Sequence, residues 1–404
     1  MRLFYLDSGL RNDVGHHANF CRYIGDALRA RGVEVLVYAR QSVEPTIQSE
    51  FGAIPHFRYH TYEVIDPDPI AGWLTDFITI ASTTCQELHK LPAMNPADVV
   101  YFSTVRPAQL LALLEWRGAL EADRRPSIVA ESVGTGLWIE PTPEGTQVSA
   151  PHPQHDPRAT LFRYSSNWLP REANARFHFI TFGAIPSKLF NLILDYPTQT
   201  LPLPYPAIIP LRNRAGTRPI TVAILGHQRS EKGYDHMPEI VEELLRACPD
   251  IRLLLQVVDP LGPPEIQVRL REIAASNDRM MLEERAAGKS LWPQLLERAD
   301  LILCPYRREY YVVGLSTVVA EAFANGIPVV VPADTPLETM VAECGGAGTT
   351  FDRFEPAAIA AATTQAVDRF DDLASLAYAA GLRWPEVHGP ARMVDDLLSL
   401  IASR

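Results

Sequence analysis

The sequence predicts an α/β chain of two domains, each built on a parallel sheet. Three observations carry that prediction. The 404 residues exceed what one typical core accommodates. Strand-like and helix-like patterns alternate in both halves, which joins parallel strands through helices. Between the two alternations, Thr200 to Pro219 runs Leu-Pro-Leu-Pro-Tyr-Pro, Ile-Pro and Arg-Asn-Arg-Ala-Gly-Thr-Arg-Pro. Prolines at that density favour extended, semi-rigid chain, so a linker is expected there.

The first alternation opens with a strand at Arg2–Leu6, a polar loop, and a helix from Gly15 to Arg31. Phe20, Ile24 and Leu28 mark the apolar face of that helix, and Gly32 stops it. Strands follow at Val33–Tyr38, Val99–Phe102, Ile128–Ala130 and Phe177–Phe182, with helices at Trp73–His89 and Pro107–Leu120. The segment from Gly134 to Asp156 lacks periodicity. It fits a substrate-covering loop or a disordered excursion equally. The second alternation places strands at Ile220–Leu225, Ile251–Val257, Leu301–Cys304 and Ile327–Val331. Its helices are Met237–Ala247, Trp292–Arg298 and Ser316–Ala324. A last helix, Ala391 to Ala402, carries Met393, Leu397, Leu398 and Ile401 on one face.

Composition narrows the function classes. Apolar residues make up 47% of the chain and charged residues 21%, as in an ordinary soluble globular protein. A formal net charge of −11 argues against nucleic acid as a partner. Five scattered cysteines with no C-x-x-C argue against a disulfide framework or a zinc site and favour a reducing, cytoplasmic setting. The N-terminus turns polar too early for a signal peptide. Val312–Pro332 is the most apolar stretch, but Glu321, Asn325 and its helix breakers make it a buried element, not a membrane span.

That stretch is the most informative one. Leu315, Val318, Val319, Ala322 and Phe323 share a helical face, and Asn325-Gly326 ends the helix. Glu321 is expected off this stripe, about two turns from the start. A helix opening with Gly-Leu-Ser-Thr offers unpaired backbone N–H groups to an anion. The combination suits an anionic ligand that also carries hydroxyl groups.

Three further motifs matter. Leu225 to Tyr234 follows a strand and precedes a helix; its glycines permit a sharp turn, and Arg229 and Lys232 supply cations for phosphate oxygens. The same residues also fit a solvated surface turn. Gly15-His16-His17-Ala18-Asn19 sits at a helix start beyond the first strand, where open α/β sheets bind ligands. Adjacent helical histidines point about 100° apart, so joint metal ligation is disfavoured; one histidine facing the crevice and a helix-start histidine with no chemistry are both open. Asp66-Pro67-Asp68-Pro69 fits a helix cap, with Asp68 as N-cap and Pro69 first in the helix, better than a metal pair. Gly134-Thr135-Gly136 lacks the third glycine of a dinucleotide fingerprint.

Taken together these residues resemble the retaining glycosyltransferases of family four. The resemblance rests on Gly226…Lys232-Gly233, on Asp300–Pro305, on Gly314–Pro328, and on Trp384-Pro385-Glu386 before a terminal helix. In the first half only Gly15 and the strand–helix pattern match. The resemblance implies a GT-B fold: two Rossmann-like domains facing across a cleft, with the C-terminal helix crossing back to the first domain. The boundaries it suggests are 1–205 for acceptor, 206–385 for donor and 386–404 for the returning helix. It implies transfer of a sugar from a nucleotide-diphosphate sugar, with retention, to a glycan, lipid-linked or small-molecule acceptor. No metal or other cofactor is implied, and contact with the inner membrane face is compatible with it.

Lys232 would hold the diphosphate and Glu321 the ribose hydroxyls, with His16 as the third residue at the reacting groups. Gly226, His227, Arg229, Gly314, Leu315, Ser316 and Thr317 complete the implied donor site, and Gly15, His16, His17 and Asn19 the acceptor site. Three positions depart from the family pattern. Val313 stands where a glutamate is usual, His227 where an arginine is usual, and Glu131-Ser132 where a histidine is usual. Two rival functions stay open: a nucleotide-sugar epimerase of the same fold, and a non-catalytic nucleotide-sugar-binding subunit.

Overall fold

The structure is a computed structural model that describes residues 1–68, 71–134, 138–142, 145–149, 157–172, 176–258 and 262–402. It divides into two compact units, Met1–Pro204 with Pro390–Arg404, and Tyr205–Gly389.

Unit 1 begins with β1 (Arg2–Asp7), α1 (His16–Arg29), β2 (Glu34–Arg40), α2 (Pro45–Phe51), β3 (Ile54–Phe57) and α3 (Gly72–Leu88). It continues through β4 (Val99–Phe102), α4 (Pro107–Ala119) and β5 (Ser127–Glu131). A hairpin of β6 (Trp138–Thr142) and β7 (Gly145–Ser149) follows, then α5 (Arg158–Ser166), β8 (Phe177–Phe182), α6 (Ala184–Leu194) and β9 (Thr198–Leu201). Seven strands form a parallel sheet in the order β3-β2-β1-β4-β5-β8-β9. Helices cover both faces of such a sheet, so its central strands read as continuous apolar runs. All four residues of β4 are buried, and Phe4, Val100, Phe102 and Ile128 pack with Leu110 and Leu113 of α4 in one core.

Unit 2 runs β10 (Ile220–Ile224), α7 (Met237–Ala247), β11 (Ile251–Gln256), α8 (Pro264–Ser276), β12 (Met280–Glu283), α9 (Leu291–Arg298) and β13 (Leu301–Leu303). Then come α10 (Arg308–Tyr311), α11 (Thr317–Ala324), β14 (Val329–Pro332), α12 (Pro336–Glu343), β15 (Gly348–Phe351), α13 (Pro356–Asp368) and α14 (Phe370–Val387). Its parallel sheet has the order β12-β11-β10-β13-β14-β15. The chain then returns to unit 1 with α15 (Pro390–Ala402), which packs on α1 and carries Asp395, 2.6 Å from Arg31.

In each sheet the strand order reverses beside the first strand, at β1/β4 and at β10/β13. The loops leaving the carboxyl ends of two such strands diverge to opposite faces and leave a crevice there. Both candidate sites lie at these reversal points.

Three expectations need correction. The proline-dense stretch is not a free linker beyond Tyr205. Tyr205 is fully buried, and the buried Arg214 guanidinium donates to the carbonyls of Ala299, Asn325 and Gly326 at 3.0–3.2 Å. Arg214 has donors enough to satisfy several carbonyls at once, so the strap is fastened to unit 2. The aperiodic segment from 134 holds the β6–β7 hairpin where a loop was expected; its residues 135–137, 143–144 and 150–156, Gly136 among them, lie outside the described residues. Helix α3 starts at Gly72, not at Asp68. Asp68 Oδ1 accepts the Ala71 N–H at 2.7 Å, a turn before the helix, and Pro69 lies outside the described residues. No helix among the described residues is long and apolar enough to cross a membrane.

Candidate functional site

At the reversal point of unit 2, two buried glutamines set the loop that follows β10. The Gly226 N–H donates to Gln256 Oε1 at 3.0 Å, and Gln228 Nε2 donates to the Gln256 carbonyl at 2.6 Å. Gly226 has a φ of 101°, open to glycine and strained for other residues. Ser230–Lys232 then form one 3-10 turn, closed by Gly233 at a φ of 80°. A methyl group on Gly233 would lie 2.3 Å from the Pro305 carbonyl oxygen, so the loop and the end of β13 are in direct backbone apposition. The Arg307 N–H donates to the Glu231 carbonyl at 2.9 Å and secures the same junction.

This turn brings the Lys232 ammonium back against Gly226, where an added methyl would sit 3.4 Å from Nζ. Its other neighbour is the buried Tyr306 ring, with Nζ 5.5 Å from the centroid. No carboxylate pairs with Lys232 among the described residues. Burial lowers its pKa, with the Cys304 thiol opposing and Arg229 reinforcing the effect. Arg229 itself is exposed and stands 3.7 Å from Glu231, so it is a peripheral cation. His227 is half-buried.

Helix α11 differs from its expected form in two ways. Ser316 is the N-cap, its hydroxyl accepting the Val319 N–H at 3.4 Å, so Gly314 and Leu315 precede the helix. Glu321 is therefore just over one turn from the start. Beyond its first residue the helix also has no solvent side: Val318 through Ala324 are all buried, Glu321 at 3% exposure among them. A stripe argument assumes water on the far face, and α9 occupies part of that face instead. Trp292 of α9 donates its indole N–H to Glu321 Oε1 at 3.0 Å. Burial raises the Glu321 pKa to about 8, against the opposing pull of Trp292. Tyr306 stacks on Tyr311 at 4.4 Å and places its hydroxyl 3.4 Å from Ser316 Oγ, which ties the β13 end to the cap. Thr317 is exposed; Val313, Gly314 and Leu315 are half-buried.

The raised pKa has a signed consequence. Between about pH 4.5 and 8 the folded chain keeps the Glu321 proton while the unfolded chain releases it. Stability from this group is thus full below the unfolded pKa and falls as pH rises towards 8, by about 1.4 kcal/mol per pH unit. Glu321→Gln should flatten the stability-versus-pH curve over that window and be the more stable form at pH 8. Parallel curves for the two proteins in urea unfolding would contradict this.

At the reversal point of unit 1 the structure gathers a different set. His17 of α1 meets the end of β1. His17 Nδ1 lies 2.9 and 3.1 Å from the two carboxylate oxygens of Asp7, the last residue of β1, and Asp7 also accepts the Gly9 N–H at 2.8 Å. The His17 ring packs so closely on Gly9 that a methyl there would overlap it at 2.1 Å. The buried His17 Nε2 has no hydrogen-bond partner among the described residues. The expected divergence of the two histidines is not observed: their rings approach to 4.1 Å between centroids, in the first turn of α1. His16 is half-buried, Gly15 is exposed, and Asn19 accepts from Arg22 at 2.9 Å.

Glu131 ends β5 in the same crevice. It accepts the Thr104 N–H at 2.8 Å and the Ser103 hydroxyl at 3.0 Å, and burial raises its pKa to about 7, with these hydrogen bonds opposing. His60 adds a ring 5.7 Å from His17, its pKa lowered to about 4 by burial and by that neighbour. Sequence reasoning named Gly15, His16, His17 and Asn19 but missed Asp7 and His60. An acid closing the first strand was the available signal for Asp7. No group of three or more metal-ligating side chains forms among the described residues.

Residues 219–369 match the family model described as Glycosyl transferases group 1. No curated protein matches the chain. Among solved structures, sucrose-phosphate synthase from Thermosynechococcus elongatus is similar with a TM-score of 0.66 at 15% identity, covering 99% of this chain and 98% of its own. HepE from Anabaena in complex with UDP gives a TM-score of 0.64 at 15% identity, over 100% of both chains. The α,α-trehalose-phosphate synthase (UDP-forming) from Burkholderia vietnamiensis gives 0.64 at 11% identity, again over 100% of both. Full-length likeness at such low identity defines architecture, and with the two parallel sheets above it identifies the fold as GT-B.

Proposed function

We propose that the chain transfers a sugar from a nucleotide-diphosphate sugar to an acceptor, with retention of configuration. One observation carries the reading: the half-buried Lys232, whose ammonium pairs directly with no carboxylate among the described residues and lies between a glycine turn and an aromatic ring at the sheet's reversal point. A diphosphate supplies the missing countercharge through charge-assisted hydrogen bonds. The match of residues 219–369 to group 1 glycosyl transferases supports the same reading, as does the solution of the HepE structure with UDP and with UDP-glucose.

In this reading backbone N–H groups near Leu315, Ser316 and Thr317 bind the same diphosphate. Glu321 accepts from the ribose hydroxyls with the oxygen capacity that Trp292 leaves. Gly226, His227, Arg229 and Gly314 border the donor. Gly15, His16, His17 and Asn19 border the acceptor. In the transfer, the acceptor oxygen bonds to the anomeric carbon as the bond to phosphate oxygen breaks. The departing phosphate takes the acceptor proton, so no separate protein base is needed. Lys232 and the backbone carry the countercharge, and no metal is invoked. The scattered free thiols suit a cytoplasmic setting.

Thermal unfolding against a panel of nucleotides and nucleotide sugars tests the donor site. A ligand at a hundred times its Kd stabilises by about 2.7 kcal/mol, so one nucleoside diphosphate and its sugar derivatives should raise Tm while monophosphates do so far less. No response across the panel would refute the reading. Val313 favours a second reading, a donor-binding subunit without turnover, because valine cannot accept a sugar hydroxyl. That alternative predicts the Tm response without release of nucleotide under any acceptor.

A further inference from the structure

Helix α3 packs on α4 through Phe77, Ile80 and Ala81, and its opposite side faces solvent. The exposed residues there are Leu74, Thr75, Ile78, Ser82 and Gln86, none of them charged. The solvent face of a surface helix ordinarily carries charge. The apolar surface continues on both sides of α3. On one side the N–H groups of Ile65 and Asp66 donate to Asp76 Oδ1, both at 3.0 Å, and hold the 62–66 loop with its exposed Val64 against the helix. On the other side lies α5, whose Tyr164 ring stands 5.9 Å from Phe77 and 5.0 Å from Trp168. Helix α6 comes next, its Leu192 carbonyl accepting from Arg163 of α5 at 3.0 Å. Val64, Leu74, Ile78, Tyr164, Trp168 and Leu192 are 46–68% exposed. A stable dimer takes about 800 Å² from each partner, and these side chains with Tyr62 and Ile65 expose an area of that order. Monomers rarely leave so large a contiguous patch uncovered.

The two ends of this patch differ in charge. At the loop end stand Asp66, Asp68 and Asp76, lining a cavity with Arg106 and Arg158, while Glu63 is paired with Arg40 at 2.8 Å. Backbone N–H groups bond these aspartates without cancelling their charge, so this end is net negative among the described residues. At the α5–α6 end, Arg163 donates to the carbonyls of Leu192 and Ile193 and keeps its charge, and Lys188 is exposed. Arg171 and Asp195 offset one another at 3.7 Å, and Glu172 is the remaining exposed acid there, so this end is net positive.

We propose that this face joins two copies of the chain about a two-fold axis, apolar centre on apolar centre, with the acidic loop of each copy against the cationic α5–α6 end of the other. A two-fold interface pairs one surface with itself, and a patch that is apolar in the middle and opposite in charge at its ends is complementary to its own rotated image. The formal net charge of −11 makes unmatched faces of two copies repel, so matched ends also fix the register of the pair. An anionic bilayer suits the patch less well, because it would meet Asp66 and Asp76 together with the cations.

Sedimentation equilibrium of the full chain at micromolar concentrations tests this and should give twice the chain mass. Ile78→Lys sets a charge in the apolar centre of both copies and should raise the dimer Kd about a hundredfold. Its circular dichroism and urea midpoint should match the parent, since Ile78 is exposed. Lys188→Glu and Asp66→Lys, each alone, make the ends of like charge and should raise Kd about tenfold. An equimolar mixture of these two variants should recover the parent affinity, because both end contacts of the mixed pair are again between opposite charges. A chain that stays monomeric, a dimer indifferent to Ile78→Lys, or a mixture no tighter than its components would overturn the proposal. So would a monomer that sediments with phosphatidylglycerol vesicles, since that assigns the face to a membrane. Sugar transfer enters none of these readouts, so their outcome is independent of the function proposed above.

Discussion

Replacing Lys232 with alanine should weaken binding of the nucleotide diphosphate by about ten- to a hundredfold, the equivalent of about 1.5–3 kcal/mol for a charge-assisted contact. The same substitution should leave the ligand-free chain no less stable. Both expectations come from one environment: burial already disfavours the ammonium, and the Cys304 thiol and the Glu231 carboxylate offset that cost only in part. The groups around Nζ, the Gly226 backbone and the Tyr306 ring, leave room for a compact cation. Lys232→Arg should therefore restore only part of the affinity, because a planar guanidinium is larger and needs a different fit. Titration with nucleoside diphosphate and urea unfolding together separate the two effects. Wild-type affinity in the alanine variant would remove Lys232 from the site.

Gly233→Ala should be the most damaging single methyl in unit 2, at about 2–4 kcal/mol of stability. Two penalties combine there: a φ of 80°, and a methyl 2.3 Å from a backbone carbonyl that cannot swing aside as a side chain would. Gly216 provides the control, since it has the same φ of 80° but open space where the methyl would go. Gly216→Ala should thus cost only the backbone term, about 1 kcal/mol. Equal losses in the two variants would mean that the Pro305 apposition is unimportant. Gly233→Ala should also abolish the nucleotide response, because Lys232 is set by the turn that Gly233 closes.

What the sequence revealed of this fold follows from where burial is two-sided. Val99–Phe102 stands out as an uninterrupted apolar run, and β4 occupies that position. The loop at Gly226–Gly233 was legible because glycine and lysine spacing is a local property. Contacts made by packing were not. Trp292 meets Glu321 only because α9 lies against α11, and nothing in either segment encodes the other. The same packing removed the solvent face that the stripe argument assumed for Glu321. The β6–β7 hairpin was hidden by Pro141, a residue that argues against a strand. Asp7 and His17 stand on a strand and a helix that the sequence did reveal, but their pairing depends on how α1 is set over the end of β1.

Unit 1 is assembled from the first and the last stretches of the chain, with all of unit 2 made in between. During synthesis, then, the domain that starts first is finished last. Until Pro390–Ala402 emerges, the outer side of α1 lacks the helix that packs on it, and α1 is the helix that carries His16 and His17. Domains fold as units from the N-terminus as the ribosome delivers them. Here the ribosome can deliver a complete unit 2 while unit 1 still waits for its closing helix, so the order of folding need not follow the order of translation.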